Sequence, residues 1–345
     1  MSHPPTLYLI DGHAQFFRAY HAIRTGLRSA ITNEPTNMVF GFTGMLTKLL
    51  REQTPEFLAV VIDASGDHGT FRRQLYPEYK AHRDPPPDDF EPQVERCLEL
   101  CKLLHIPVLA IEEVEADDVI ATVVGRVRRE HPEVRIRIVS KDKDLGQLLD
   151  EQTTLFDAHT GEELNVERLF DSKGVSPSQV VDMLALMGDT VDNVPGVRGI
   201  GPKTAAALIT EFGSLEALLA NLDKVKGKKR EAIEQARGVL ALSKQLVALK
   251  ADCEVPFDLA STRVDLRSID PAAVLELMHT LGFGRLRDEI SALLGAPRGR
   301  DSAGRARRGR GASWYGFAIK GKNARDGNRL EATDQCRRAR RWARR

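Results

Sequence analysis

The chain has 345 residues and a formal net charge of +1; 42% of its residues are hydrophobic and 29% are charged. These values are typical of a soluble globular protein with one large or two ordinary domains. They exclude a membrane-spanning protein, because no apolar run is long enough to cross a bilayer, and the run TLYLI is too short for a signal peptide. Four cysteines make no disulfide framework at this length, so we expect reduced thiols in a cytoplasmic protein.

Apolar runs and helical patterns alternate along the first half of the chain. The runs that predict strands are residues 6–10, 57–62, 106–111 and 134–139, and the patterns that predict helices are residues 38–51, 91–104 and 116–130. Strands that alternate with helices indicate βαβ units and a parallel sheet, so the predicted fold class is α/β. From about residue 176 we expect helices only.

Acidic residues follow at least three of the predicted strands. Ligands of open α/β sheets bind outside the carboxyl ends of the strands, so we expect these acids to converge on one edge. Like charges on one edge need cations among them, and hard oxygen ligands select Mg²⁺ or Mn²⁺. A pair of such ions about 3.5–4 Å apart binds both oxygens of a phosphoryl displacement. For any single residue, a helix cap or a surface charge is an equally good interpretation. The set is Asp11, Asp63, Glu115, Asp117, Asp118, Asp142, Asp144, Asp189 and Asp192.

Residues 66–90 interrupt the alternation with basic and aromatic side chains followed by three prolines. This composition suits a nucleic-acid single strand, because the charges bind phosphates and the rings stack on bases. Lys80 and Arg83 are three residues apart, so both can face one scissile phosphate, while Arg72 and Arg73 are candidate DNA contacts. A solvated loop is the alternative interpretation.

The stretch GVRGIGPKTA, residues 196–205, lies between two predicted helices. Its glycines allow a tight turn whose backbone N–H groups approach a phosphate, and such contacts position a DNA duplex without reading its sequence. The candidate contacts are Gly199, Gly201, Lys203 and Thr204. A plain helical hairpin and a mononucleotide loop are the alternatives, but a nucleotide loop should directly follow the first strand.

Taken together, these motifs resemble the 5′-nuclease (flap endonuclease) superfamily, and most of all the N-terminal 5′→3′ exonuclease domain of bacterial DNA polymerase I. The strings that carry the resemblance include LIDGHAQFFRAYHAI, TFRRQLYPEYKAHR, EADDVIAT, VSKDKDLGQLL and LMGDTVDNVPGVRGIGPKTAAALI, and it covers roughly residues 5–290. It implies a parallel-sheet, PIN-like nuclease core with a helical arch, followed by a helix–three-turn–helix domain. The expected domains are residues 1–175 with the arch at about 66–95, residues 176–295, and a basic tail at 296–345.

The resemblance also implies how the site residues are used. One divalent ion would lie near Asp11, Asp63, Glu115 and Asp117, and another near Asp142, Asp144 and Asp192, with Asp117 between them; Asp118 and Asp189 match acidic positions of the bacterial branch. Tyr79, Lys80 and Arg83 match arch residues that hold the scissile phosphate. A K⁺ ion would bind backbone carbonyls of Leu186, Met187, Pro195, Val197 and Ile200.

The implied activity is Mg²⁺- or Mn²⁺-dependent hydrolysis of DNA near a 5′ single-strand/duplex junction, for removal of RNA primers or flaps in replication and repair. The implied partners are flap, nicked or 5′-ended DNA, an RNA primer–DNA hybrid and a separate DNA polymerase. A monomer at the bacterial nucleoid is expected. A non-catalytic binder of DNA junctions is the competing hypothesis, although all the acidic positions are filled.

Two features depart from the family pattern. His13 stands where many relatives have a small polar residue. The chain has no room for polymerase and proofreading domains, so a free-standing exonuclease and a separated exonuclease domain both stay open. The tail has 16 basic and 4 acidic residues, a net charge of +12, which leaves −11 on the rest of the chain. We expect it to be disordered; it either adds non-specific affinity for DNA or is a frame-shifted remnant of linker and polymerase sequence.

Overall fold

The computed structural model describes residues 4–23, 26–64 and 69–295. In these residues one sheet is built from β1 (Thr6–Asp11), β2 (Phe57–Val61), β3 (Val108–Leu109), β4 (Arg135–Val139), β5 (Thr153–Phe156) and β6 (Glu163–Leu164). The strand order is β3-β2-β1-β4-β5-β6, and all neighbouring pairs are parallel except β5 and β6. The predicted α/β class with a mostly parallel sheet is confirmed. The tail at 296–345 lies outside the described residues, and so do residues 66–68 of the basic and aromatic segment at 66–90, which we call the excursion.

The helices surround the sheet and continue beyond it. They are α1 (Gly12–Ala22), α2 (Asn37–Gln53), α3 (Phe71–Leu75), α4 (Phe90–Leu103), α5 (Ala116–Glu130), α6 (Val166–Lys173), α7 (Val180–Met187), α8 (Pro202–Phe212), α9 (Leu215–Ala220), α10 (Lys228–Val247), α11 (Pro271–Thr280) and α12 (Gly284–Leu293). The helix predicted at 116–130 has the bounds that the structure gives to α5. Among the described residues, no helix is both long and apolar enough to cross a membrane.

Two details of the sheet differ from the prediction. The third predicted strand, 106–111, is reduced to Val108–Leu109, because Pro107 has no N–H to donate and offers only its carbonyl to Val60 N, at 3.0 Å. The strands β5 and β6 were not predicted. They have four and two residues, which is too short for a periodic pattern to stand out.

Alternation along β1 divides the buried side chains between two cores. Leu7 and Leu9 face one core, which includes α5 and the helices α7 to α10, whereas Tyr8 and Ile10 face the other, which includes α1, α2 and α4. The last two helices, α11 and α12, also belong to the second core and pack on α4 and α2. The domain boundary expected at residue 176 stays a prediction, but the chain returns to the sheet domain after it.

The segment expected to form an arch is compact where it is described. The short helix α3 is followed by turns through residue 82, and an exposed proline run leads into α4. Within those turns Tyr79 is only 3% exposed. The segment therefore lies folded against the carboxyl edge of the sheet.

Candidate active site

The predicted acids lie at the carboxyl edge of the sheet, on either side of its switch point. Asp11 is the last residue of β1, Asp63 follows β2, and Asp142 follows β4. Strand β1 lies between β2 and β4, so the chain crosses over in opposite directions on its two sides. Asp63 Oδ1 accepts a hydrogen bond from Ala116 N at 2.7 Å, which brings the start of α5 to the same edge.

Asp11 lies deep in this edge. It is 6% exposed and accepts hydrogen bonds from Ala14 N at 3.1 Å and from Ser140 Oγ at 2.8 Å. Burial raises the pKa of Asp11 to about 6, and the charges of Asp63 and Asp142 act in the same direction against those hydrogen bonds. Three acids from three strand ends therefore share one electrostatic environment.

Asp117, in the first turn of α5, belongs to the same group. Burial raises its pKa well above the usual range, and the charges of Asp11, Asp142, Asp63 and Glu115 raise it further. A carboxyl in this environment gains most from a multivalent cation, because such an ion offsets both the lost hydration and the repulsion.

A second acidic group surrounds Asp144. Burial raises the pKa of Asp144 to about 7, and Asp142, Asp189 and Asp192 add repulsion that Lys143 partly opposes. The Oδ1 atom of Asp144 is buried and has no hydrogen-bond partner among the described residues. An unpartnered carboxylate oxygen beside other carboxylates is a candidate cation ligand.

Asp189 is balanced differently from Asp144. Burial acts to raise its pKa, but Lys143 Nζ, 2.6 Å from Asp189 Oδ2, and the backbone N–H of Val191 lower it overall. Lys143 therefore screens Asp189, while Asp144 keeps an oxygen available.

Side chains of the turn after α3 lie over the acids. Lys80 Nζ is 2.8 Å from Glu115 Oε1, and Tyr79 Oη donates to Glu115 Oε2 at 3.2 Å. Arg83 forms an ion pair with Asp192, whose carbonyl accepts a hydrogen bond from Lys80 N at 2.9 Å. Together with Asp117, Asp142 and Asp144, these side chains line a polar cavity of about 60 Å³. The structure thus places the basic excursion at the acidic edge.

The contacts of two residues do not support their predicted roles. Asp118 was expected to bind metal, but it is 0% exposed, and its two oxygens accept from Arg72 Nη1 and Nη2, from Lys250 N and from Glu115 N. These four bonds use the whole acceptor capacity of a carboxylate. Arg72 was expected to contact DNA, but it is 1% exposed and its guanidinium is committed to this buried pair. Arg73 is partly buried, and its DNA contact stays a prediction.

The described acids do not form a ready metal cluster. Within residues 4–23, 26–64 and 69–295, no three histidine, cysteine, aspartate or glutamate side chains are grouped closely enough to hold an ion as they stand. The donor set nevertheless fits a hard divalent ion. Carboxylate oxygens converge, burial and mutual repulsion raise the pKa values of Asp11, Asp117 and Asp144, and Asp144 Oδ1 has no hydrogen-bond partner among the described residues.

Comparison with known proteins shows the family. The model described as "5'-3' exonuclease, N-terminal resolvase-like domain" matches residues 6–177, and "5'-3' exonuclease, C-terminal SAM fold" matches residues 175–271. The chain belongs to the 5′-3′ exonuclease family. The family predicted from the sequence is thereby confirmed, and the chain contains both domains of such a nuclease.

The similar curated proteins are much longer than this exonuclease chain. DNA polymerase I of Rhizobium leguminosarum is 36% identical over 293 residues, which are 83% of this chain and 28% of the relative. DNA polymerase I of Pseudomonas aeruginosa is 41% identical over 268 residues, or 75% and 28%. The chain thus spans less than a third of the length of these relatives.

Solved structures support the fold of the exonuclease chain. T5 5′-exonuclease with bound zinc ions matches with a TM-score of 0.60 at 22% identity, covering 84% of this chain and 98% of the T5 chain. The catalytic core of Rad2 in complex with DNA substrate matches with a TM-score of 0.57 at 15% identity, covering 85% and 92%. At these identities the likeness concerns the fold.

The SAM-fold domain of the exonuclease contains the predicted glycine turn. A Cβ atom on Gly196 would lie 2.4 Å from Gly188 N, so the two backbone segments pass too closely for any side chain. Gly199 has a φ of +80°, and Gly201 precedes the first turn of α8 with extended backbone. Gly199, Gly201 and Lys203 are exposed and Thr204 is partly buried, so their DNA contacts stay predictions.

The carbonyls predicted to bind K⁺ lie around the same turn. Leu186 O accepts from Val197 N at 2.8 Å, Pro195 O from Ser243 Oγ at 2.6 Å, and Val197 O from Ile200 N at 3.0 Å. Each of these carbonyls keeps a second lone pair, so K⁺ binding is compatible with the hydrogen bonds. It stays a prediction, as it does for Met187 and Ile200.

The sequence singled out His13, and its Nδ1 accepts from Asp63 N at 3.1 Å, which gives it a role in orienting Asp63. Sequence reasoning missed two other parts of the site. Ser140, directly after β4, donates to Asp11 and accepts from Asp142 N at 3.1 Å. Leu246, in the last turn of α10, and Leu249, just after that helix, line the cavity from the SAM-fold domain. The serine between the fourth predicted strand and KDKD could have been recognised in the sequence. No sequence pattern indicates that the end of α10 contacts the site.

Proposed function

We propose that this chain is a structure-specific 5′→3′ exonuclease and 5′-flap endonuclease that hydrolyses DNA phosphodiesters near single-strand/duplex junctions. The observation that carries the proposal is the cavity in which Asp117, Asp142 and Asp144 face Lys80 and Arg83, in a chain of the 5′-3′ exonuclease family. Acids suited to divalent ions and cations suited to a phosphate meet there. Among the described residues, the side chains that line this cavity include no serine, cysteine or histidine nucleophile.

Following the family resemblance, we assign the acids to two proposed ion sites. Asp11, Asp63 and Glu115 would hold one Mg²⁺ or Mn²⁺ ion with Asp117, and Asp142, Asp144 and Asp192 would hold the other, with Asp189 held back by Lys143. Two such ions, when bound, activate a water and stabilise charge on the attacking and leaving oxygens. Burial raises the pKa values of Asp11 and Asp144, and the charge of Asp142 adds repulsion at both, so bound cations would stabilise both groups.

The side chains over the cavity have roles of their own. Lys80 and Arg83 now pair with carboxylates, and a scissile phosphate competes for the same donors. Positioned cations next to that phosphate stabilise the charge that develops on it. Tyr79, whose pKa burial raises far above its usual range, stays protonated and remains a hydrogen-bond donor to Glu115.

The turn at Gly199–Gly201, with Lys203 and Thr204, is proposed to hold the phosphates of the duplex arm, and a K⁺ ion is proposed at the neighbouring carbonyls. T5 D15 flap endonuclease and Rad2 have been solved with DNA, which supports a DNA substrate for this chain. We further propose that the chain acts as a cytoplasmic, nucleoid-associated monomer on flaps, nicks and RNA primer–DNA hybrids in replication and repair. A polymerase domain or a separate polymerase would supply the junction, since the relatives are DNA polymerase I.

The test is cleavage of end-labelled flap, nicked and blunt duplexes with and without Mg²⁺. We expect Mg²⁺-dependent release of 5′ products from the flap and the nick, and a loss of at least about 100-fold for Asp142→Asn or Asp144→Asn. Junction binding without cleavage in both Mg²⁺ and Mn²⁺ would leave the alternative of a non-catalytic binder. Equal cleavage by wild type and both variants would contradict the assignment of the acids.

A further inference from the structure

The buried pair of Arg72 and Asp118 has more contacts than an ion pair needs. Arg72 Nη1 and Nη2 donate to the two oxygens of Asp118 at 2.6 and 2.8 Å. The same guanidinium donates from Nε to Leu246 O at 2.8 Å and from Nη2 to Ala248 O at 3.0 Å. Asp118 Oδ1 in turn accepts from Lys250 N at 2.8 Å. The pair therefore binds three backbone groups of residues 246–250, which we call the strap.

The strap is a wall of the active-site cavity. Leu246, Val247 and Leu249 line the cavity, and Gln147 forms hydrogen bonds with the strap. Gln147 Nε2 donates to Val247 O at 3.2 Å, and Gln147 Oε1 accepts from Leu249 N at 3.0 Å. Gln147 Nε2 also donates to Asp144 O at 2.8 Å, so the strap is connected to the backbone of Asp144.

The pair also fixes Glu115. Asp118 Oδ2 accepts from Glu115 N at 3.1 Å, and the Glu115 side chain caps the backbone of Asp118 in return. Arg72 Nη1 lies 3.4 Å from Glu115 Oε2. The rotamer and the backbone of Glu115 thus depend on the same two residues that hold the strap.

We propose that Arg72 and Asp118 are positioning residues of the active site, which hold Glu115 and the strap in one fixed relation. The pair connects the base of the excursion, the start of α5 and the end of α10. This inference rests on the proposed function, since it assigns the pair to the site where the acids bind divalent ions. Its consequence is that the SAM-fold domain sets the shape of the cavity through Arg72.

A purely stabilising role is the competing explanation, and the two make different predictions. Replacing a buried ion pair by apolar residues of similar volume is often neutral for stability, whereas removing one partner leaves a costly buried charge. The double variant Arg72→Met/Asp118→Leu therefore removes the connections to the strap and to Glu115 N while it keeps the volume filled. If the pair only stabilises the fold, the folded double variant keeps its metal affinity.

The experiment measures Mn²⁺ binding by titration, flap cleavage, and hydrogen–deuterium exchange of the strap in wild type and in the double variant. We expect Mn²⁺ binding about 10- to 100-fold weaker, as for other residues that orient metal ligands. We expect kcat to fall by a similar factor with KM for the flap within about threefold, because DNA contacts elsewhere are retained. Exchange of residues 246–250 should become faster.

Lys244→Met is the matched control. Lys244 lies in α10, the helix that leads into the strap, and its Nζ is 2.7 Å from the buried Asp182 of α7; this pair does not include Glu115. We expect a loss of thermal stability, because the variant leaves a buried carboxylate without this ion pair, but unchanged Mn²⁺ affinity. If the double variant does not fold, Arg72→Lys replaces it. The three N–H donors of a lysine share one nitrogen, so they do not reach Asp118 and the strap together. We therefore expect an intermediate loss of Mn²⁺ affinity.

A double variant, or Arg72→Lys in its place, that folds and binds Mn²⁺ like wild type would overturn the proposal. Its failure can be told apart from failure of the proposed function. If wild type binds Mn²⁺ but cleaves no DNA, the nuclease proposal fails, while the Mn²⁺ and exchange measurements still decide the role of the pair.

Discussion

Ser140 Oγ donates to Asp11 Oδ2 at 2.8 Å and accepts from Asp142 N at 3.1 Å, so one hydroxyl connects the ends of β1 and β4. This hydroxyl joins the carboxylate of Asp11 to the backbone of Asp142, an acid more than a hundred residues away in the chain. It also lowers the pKa of Asp11 against the larger effect of burial.

The first prediction concerns this hydroxyl. Ser140→Ala should slow flap cleavage about tenfold, because it removes a hydrogen bond that orients a metal ligand. The variant also loses a donor to the charged form of Asp11, so the pKa of Asp11 should rise above its value of about 6. The acid limb of the pH–rate profile should therefore move to higher pH. An unchanged limb would show that Asp11 does not control it.

The second prediction separates chemistry from docking at Lys80. Lys80→Ala should slow cleavage about 100-fold or more and weaken junction binding much less, because a positioned charge acts mainly in the transition state. Single-turnover cleavage and binding to a flap in Ca²⁺ measure the two effects. Arg135→Ala, an exposed cation at the opposite end of β4, is the control and should change neither. Equal losses in rate and binding would make Lys80 a docking residue.

The third prediction concerns acid stability. Asp157 is buried, and although burial acts to raise its pKa, hydrogen bonds from Lys141, Arg18 and His159 N lower it below the usual range. A carboxyl whose pKa is lower in the folded protein than in the unfolded chain stabilises the fold. This stabilisation is complete at a pH above the pKa in the unfolded chain, about 3.9, and is lost as the pH falls toward the pKa in the folded protein.

Asp157→Asn should therefore cost about 2 kcal/mol of unfolding free energy at pH 7. The difference from wild type should shrink below about pH 4, as Asp157 itself becomes protonated. Denaturant unfolding at several pH values measures this. Asp171→Asn, at an exposed position in α6, should show no such difference. A cost that is the same at pH 7 and at low pH would exclude the ion pairs as its cause.

The fourth prediction tests the close approach at the glycine turn. Gly196→Ala should cost about 3 kcal/mol or more, because the added Cβ would meet the backbone of Met187 and Gly188 at 2.4–2.5 Å. Gly161→Ala should cost only about 1 kcal/mol, since its φ is +78° but nothing lies within 4 Å. Thermal unfolding of the two variants checks the order. Similar costs would mean that the turn relaxes to accommodate a methyl group.

Short-range patterns predicted the sheet well and the small strands poorly. The runs at 6–10 and 57–62 are strongly apolar, and the strands follow them within one residue at each end. The two-residue strand β6 depends on its pairing with β5, and no local pattern marks it. The same limit applied to the site: carboxylates after strands indicated a shared edge, but nothing local distinguished Asp117 from Asp118.

The different environments of Asp117 and Asp118 separate what the sequence determines from what only the tertiary structure decides. The sequence by itself determined the fold class, the family and the edge at which the acids gather, because strand periodicity and the residues that follow each strand are encoded locally. Only the tertiary structure decided that Asp118 pairs with Arg72 in the interior while Asp117 lines the cavity beside Lys80. The physical reason is that the partner of a charge is set by burial and by segments distant in sequence, here the backbone of residues 246–250.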